Sequence, residues 1–202
     1  MAWAPDYASA AELKALLRIP SSDTVDDTEL ALAVTAAARA IDRATQRQFG
    51  VVAAAEARTF DATWSREHGR WKATIDDLMT STDLDVVASG SSLASSAFEL
   101  RERNAPQKGQ PWVRILTDQA TAPVSGFGPC TLEITAIWGW TAVPATIKQA
   151  CLTQASRLFK RRDAPFGVAG SPDMGSEIRL LAKVDPDVEV MTRSYRRDWP
   201  LL

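Results

Sequence analysis

One histidine, two cysteines and a pair of adjacent aspartates are the residues of this chain whose chemistry could reach beyond packing. His68 lies in Ser65-Arg66-Glu67-His68-Gly69, a turn-like segment between two β-forming runs. As a general base it would need a nucleophile and an orienting acid beside it, and the sequence offers no recognisable partner for either role. A solvated loop histidine is the expectation. Asp76 and Asp77 end a β-forming run, where successive side chains point to opposite faces, and no further acid follows at the spacing of a calcium loop or two-metal site. A polar strand end is expected there. Cys130 and Cys151 are too few for a metal cage and match no redox spacing, so they read as reduced, largely buried thiols of a cytosolic protein. Neither common phosphate-binding glycine loop is present, nor a Gly-x-Ser-x-Gly elbow, nor a His-Glu-x-x-His helix. This inventory argues against an enzyme and calls for no cofactor and no metal.

The bulk composition narrows the class further. With 23 Lys and Arg against 25 Asp and Glu, the formal net charge is −2, so no overall basic field draws in nucleic acid. A hydrophobic content of 46% is ordinary for a globular protein, and 202 residues fit one elaborated domain or two small ones. No apolar run reaches 18 residues, and no basic segment followed by an apolar core opens the chain, so a soluble protein without a signal peptide or membrane contact is expected.

The elements that would carry a surface can be traced along the chain. Ser9 with Glu12 makes a capping box for a short helix through Leu13, Leu16 and Leu17, broken at Ile19-Pro20. Asp26 with Glu29 repeats the start signal, and Leu30, Val34, Ala37, Ile41 and Ala44 mark a helix of about twenty residues, with Gly50 near its end as a C-cap. Ala33, Ala36, Ala37, Ala38 and Ala40 leave small side chains that permit close approach of another helix. Residues 51–142 change to short β-like runs at Ala57–Ala62, Arg70–Ile75, Leu84–Ala88, Ala97–Arg103, Trp112–Leu116 and Thr131–Trp138, punctuated by Gly, Ser, Pro and Asn. After Trp138-Gly139-Trp140, which reads as a joint, Pro144 opens a helix whose stripe is Ile147, Cys151, Ala155 and Leu158. Lys160-Arg161-Arg162 at its end either answers the helix dipole or touches a partner or nucleic acid.

The expected fold is therefore α+β: a helical bundle of N- and C-terminal helices, a small inserted antiparallel β domain, and an extended C-terminal tail. Its divisions are 1–50, 51–142, 143–168 and 169–202. A short helix is expected through Ile178, Leu180 and Leu181. The segment Val184–Leu202 has extended-looking Val188, Val190 and Tyr195, and its arginines and Trp199 fit docking on a neighbour or back on its own domain. Of the seven tryptophans, Trp71, Trp112 and Trp138 are expected to pack the β region, whereas Trp3 and Trp199 near the chain ends ask for a partner.

Three segments together resemble the head-to-tail connector, or adaptor, proteins of tailed bacteriophages. They are Tyr7 to Leu17, Ala38 to Phe49, and the run from Trp138-Gly139-Trp140 through Val143-Pro144 and Ile147-Lys148-Gln149-Ala150 to Arg161-Arg162-Asp163-Ala164-Pro165. The β middle matches in outline only. The resemblance implies a structural protein of the virion neck, assembled in the host cytoplasm. Many copies, commonly a dodecamer, form a ring beneath the portal protein, extend the channel for packaged double-stranded DNA and receive the next neck or tail protein. It implies ring contacts through the two long helices, at Ala33, Ala37, Arg43, Arg157 and Arg161. It implies portal docking by the tail, at Arg193, Tyr195, Arg196, Arg197, Trp199 and Leu201, so that deleting Arg193 to Leu202 would leave the domain folded and abolish attachment. A neck stopper or tail-terminator ring protein is the alternative within virion proteins, though typically poorer in helix. A helical DNA-binding regulator is disfavoured, because Arg39, Arg43 and Arg47 are offset by Asp26, Asp27, Glu29 and Asp42 on the same helix.

Overall fold

The computed structural model describes residues 3–124, 126, 128–161, 168–169, 178–179 and 185–197. The chain divides into two units, Met1–Ala4 with Gly50–Ala142, and Pro5–Phe49 with Val143–Leu202.

The first unit is built on a seven-stranded antiparallel sheet. Its strands are β1 (Glu56–Ser65), β2 (Arg70–Leu78), β3 (Asp85–Ala88), β4 (Ser91–Ser92), β5 (Phe98–Arg101), β6 (Trp112–Thr117) and β7 (Cys130–Ala136). Their order is β4-β3-β7-β1-β2-β6-β5, so β4 and β5 are the free edges of an open, curled half-barrel. Alternation explains the inner face. Ala73 and Ile75 on β2, Ile115 on β6 and Leu132, Ile134 and Ala136 on β7 are all buried, and Trp138 completes the cluster. Trp71 and Trp112 pack partly buried against it. So does Trp3, with the Arg58 guanidinium 4.6 Å from its ring, which accounts for this terminal tryptophan inside its own unit.

Among the described residues the second unit holds four α-helices: α1 (Ala10–Leu17), α2 (Asp27–Thr45), α3 (Ala145–Lys160) and α4 (Pro186–Arg193). The capping box is formed, Glu12 N–H donating to Ser9 Oγ at 3.2 Å and Ser9 N–H to Glu12 Oε2 at 3.0 Å. On α3, Ile147, Cys151 and Ala155 are buried together with Ala150 and Gln154, while Leu158 is half-buried. Burial pushes the Cys151 thiol up to about 12. α2 ends at Gln46, which adopts the left-handed cap conformation, rather than running to Phe49-Gly50. Phe49 is instead a core residue, its ring edge-on to Tyr7 and Tyr195.

The expected helical bundle with a small β insertion and an extended tail is overturned on both counts. The β region is a seven-stranded half-barrel with a core of its own. It is set by a pairing the sequence pattern does not reveal, β1 with β7 from the far end of the region. The segment after Asp185 is helical: Asp185 caps it by accepting the Asp187 N–H at 3.0 Å, and Pro186 takes the first turn. Val188 and Thr192, four apart, are its buried face, and Val190 points outward, 76% exposed. Ile178 lies in a two-residue strand, β9 (Ile178–Arg179), paired with β8 (Val168–Ala169), instead of a helix. Leu180 and Leu181 lie outside the described residues.

Candidate assembly surfaces

The Trp138-Gly139-Trp140 joint is a set of backbone clamps within the first unit. Gly139 N–H donates to the Asp77 carbonyl at 2.7 Å, Trp140 N–H to the Gly50 carbonyl at 2.9 Å, and Val52 N–H to the Trp138 carbonyl at 2.9 Å. Gly139 has φ +112°, and a Cβ there would stand 2.0 Å from the Gly50 oxygen, so only glycine fits. The two indoles are tied as well, Trp138 Nε1–H to the Glu56 carbonyl and Trp140 Nε1–H to Asp77 Oδ2, both at 2.8 Å. Asp77 is thus a buried acceptor, and Asp76 meets Arg58 at 2.8 Å. The aspartate pair serves two separate structural bonds.

His68 is half-buried, not solvated. Its Nδ1 lies 3.0 Å from Ser65 Oγ and its Nε2 3.2 Å from the Arg101 guanidinium. Because arginine only donates, Nε2 accepts and Nδ1 is left to donate to the serine. A Ser–His pair used for catalysis has a carboxylate behind the ring, whereas here the Arg101 guanidinium stands on the far nitrogen and Glu67 lies 3.8 Å from Nδ1, on the serine side. The surrounding cleft of about 180 Å³ also takes in Glu67, Lys72, Glu102 and Arg114. Beside it Glu99 receives Arg103 and Arg101, whose hydrogen bonds hold its carboxyl down to about 2. Among the described residues no group of three His, Cys, Asp or Glu could hold a metal ion, and no helix is long and apolar enough to cross a membrane.

In the second unit Tyr7 is the hub that the sequence did not announce. Its hydroxyl donates to Asp42 and accepts the Phe49 N–H at 3.0 Å. Burial raises the phenol well above its ordinary range, and burial also raises the Asp42 carboxyl despite the pull of Tyr7 and Arg39. The residues expected at ring contacts are spread unevenly. Ala33 and Ala37 lie on the buried face of α2, Arg157 pairs with Asp185 at 3.3 Å, and Arg161 is half-buried past the last turn of α3. Arg43 is exposed.

Of the residues expected at the portal, Arg193 and Arg196 are exposed. Tyr195 stacks edge-on against Phe49 at 5.7 Å, and Arg197 is buried, its N–H donating to the Thr45 carbonyl at 2.8 Å. The segment to Arg197 is therefore docked on its own unit, and a deletion from Arg193 would remove packing as well as surface. Trp199 and Leu201 lie outside the described residues, as does Arg162.

The solvent face of α2 is unusual in what it omits. Thr28, Ala31, Leu32, Thr35 and Ala36 are exposed in sequence order with Glu29 as the one charge among them, and Leu32 is 64% exposed. A helix face meant for water normally carries more charge.

No family model matches the chain, and no curated protein matches it. Among solved structures, it is similar to a chain described as "Neck of empty GTA particle computed with C6 symmetry", with 18% identity over 95% of this chain and 90% of that one and a TM-score of 0.48. It is also similar to a chain of "Virion of native gene transfer agent (GTA) particle", with 20% identity, the same two coverages and a TM-score of 0.45.

Proposed function

We propose that this chain is a structural neck protein of a phage-type particle, a head-to-tail adaptor. In this reading it forms a ring beneath the portal, extends the DNA channel without reading sequence, and offers the platform for the next neck or tail protein. It works through surfaces rather than catalysis, and it sits in the particle neck after assembly in the host cytoplasm.

One observation carries the reading. Of the segments that resemble the adaptor family, Tyr7 to Leu17, Ala38 to Phe49 and the part from Val143 to Arg161 belong to a single helical unit although residues 50–142 intervene, while the Trp138-Gly139-Trp140 start of the third lies in the first unit. Tyr7 joins the first to the second through Asp42 and Phe49, Glu12 joins the first to α3 through Lys148, and Cys151 Sγ–H reaches the Val34 carbonyl at 3.7 Å. The support lies in these residues; the likeness to the two solved chains, at TM-scores below 0.5, adds nothing to it. The near-neutral charge also suits a conduit, since a strongly basic lumen would hold the DNA by counterion release.

The test is to mix the purified protein with isolated portals or tailless, DNA-filled heads and to image the particles by electron microscopy. An added symmetric ring at the portal vertex is expected. The seven-stranded sheet favours a second reading, a stopper or tail-terminator ring, because such proteins are richer in β structure. Bare portals that still bind another neck protein would reject the adaptor and select that alternative.

A further inference from the structure

We propose that α2 is a self-complementary docking face, on which a second copy of this chain packs its own α2 antiparallel about a two-fold axis at Ala36. Two charges mark the face. Glu29 and Arg43 are both exposed, and neither makes an ion pair among the described residues. At 100° per residue, Glu29, Leu32, Ala36 and Arg43 fall within one stripe, Leu32 and Arg43 being only about 20° apart. The other arginine on that stripe, Arg39, is turned inward to Asp42 at 3.1 Å and to the Pro5 carbonyl at 2.7 Å. The stripe therefore has a free acid at one end, a free base at the other, and uncharged residues between.

That arrangement complements itself only when reversed. Glu29 and Arg43 are equidistant in sequence from Ala36, so antiparallel packing about Ala36 sets each glutamate against the other copy's arginine, twice. The same register places Leu32 opposite Ala40, a large side chain against a small one, and Ala36 at the crossing lets the axes come within about 8 Å. A parallel arrangement in register would instead align like charges. Antiparallel packing also sets the helix dipoles in opposition, which favours it further. The contact is isologous and closes at two copies, so it differs from the heterologous contacts that close a ring, and it stands or falls independently of the adaptor reading. A single helix pair buries less than the roughly 1,000 Å² typical of a stable dimer, so the contact is best read by capture rather than by mass.

The experiment uses the full chain with Cys130→Ser, which leaves the buried Cys151 as its only native thiol. Ala36→Cys in that background, oxidised mildly, is expected to form a disulfide-linked dimer, because facing Cα atoms at the crossing fall within disulfide reach. Thr28→Cys, also exposed but off the axis, is the control that stays monomeric. Adding Glu29→Arg or Arg43→Glu alone lowers the initial crosslinking rate by about tenfold, since each turns two attractive contacts into repulsive ones. The double swap Glu29→Arg/Arg43→Glu restores it. Equal crosslinking at Ala36 and Thr28, or a double swap that fails to recover, overturns the proposal. Circular dichroism of each variant verifies that the helices are intact.

Discussion

Replacing Gly139 with alanine isolates the clamp that holds the end of the β region. The added Cβ would lie 2.0 Å from the Gly50 carbonyl oxygen and 2.9 Å from Val51 Cα, both backbone atoms with no side-chain freedom to yield. Relief requires the two segments to part, which gives up the Trp140 N–H to Gly50 and Val52 N–H to Trp138 bonds, each worth about 1 kcal/mol. Holding an L-residue at φ +112° costs about 1–3 kcal/mol more. The sum, about 3–5 kcal/mol, is a large share of the roughly 5–15 kcal/mol that keeps a domain folded. Gly109 is the matched control. Its φ is +67°, but a Cβ there meets nothing within 4 Å, so Gly109→Ala pays about 1–2 kcal/mol for the left-handed conformation alone. Urea unfolding followed by tryptophan fluorescence reads the difference, since Trp138 and Trp140 flank the clamp and are buried. With a slope near 1.5 kcal/mol per molar urea, Gly139→Ala should lower the midpoint by about 2–3 M and Gly109→Ala by about 1 M. Equal midpoints for the two variants would refute the steric argument.

Acid unfolding tests Glu99. Its carboxyl gives up its proton at lower pH in the folded state than in the unfolded chain, so its contribution to stability is complete above the ordinary glutamate range near 4.5 and is lost as the pH falls toward about 2. Glu99→Gln should flatten that part of the stability profile, and an unchanged slope between pH 4.5 and 2 would reject the assignment. The cysteines should separate cleanly in a thiol assay at neutral pH. Half-buried Cys130 reacts in the native protein, while Cys151, fully buried and with its thiol pushed up to about 12, reacts only in denaturant. Two fast equivalents in the folded state would show that Cys151 on α3 is not covered by the packing against α2.

Local signals were legible wherever a few neighbouring residues suffice. The Ser9–Glu12 capping box, the apolar stripes of α2 and α3, and six of the seven strands could be read directly, because each rests on spacing within one element. β4, a pair of serines, has no pattern to read. α4 was misread because Val188 and Val190 mimic strand alternation, although Asp185-Pro186 carried a sound helix start. α2 ends earlier than its apolar pattern suggests because Gln46, rather than Gly50, takes the left-handed cap. What no local pattern contains is the choice of distant partner: Tyr7 for Asp42, Trp140 for Asp77, His68 for Arg101, and β1 for β7. Those pairings decide both the extent of the sheet and the half-buried setting of the histidine between Ser65 and Arg101.

The bond between Trp140 and Gly50 carries an evolutionary corollary. The chain enters the β region at Gly50 and leaves it near Trp140, and these two points lie one hydrogen bond apart. A segment whose ends meet in this way can be lengthened, shortened or exchanged at little cost in loop closure to the helices that flank it in sequence, much as a cassette is replaced between fixed ports. Related chains are then expected to keep the helical unit and the glycine at the port while diversifying what lies between. Lineages would thereby change the variable half without rebuilding the other.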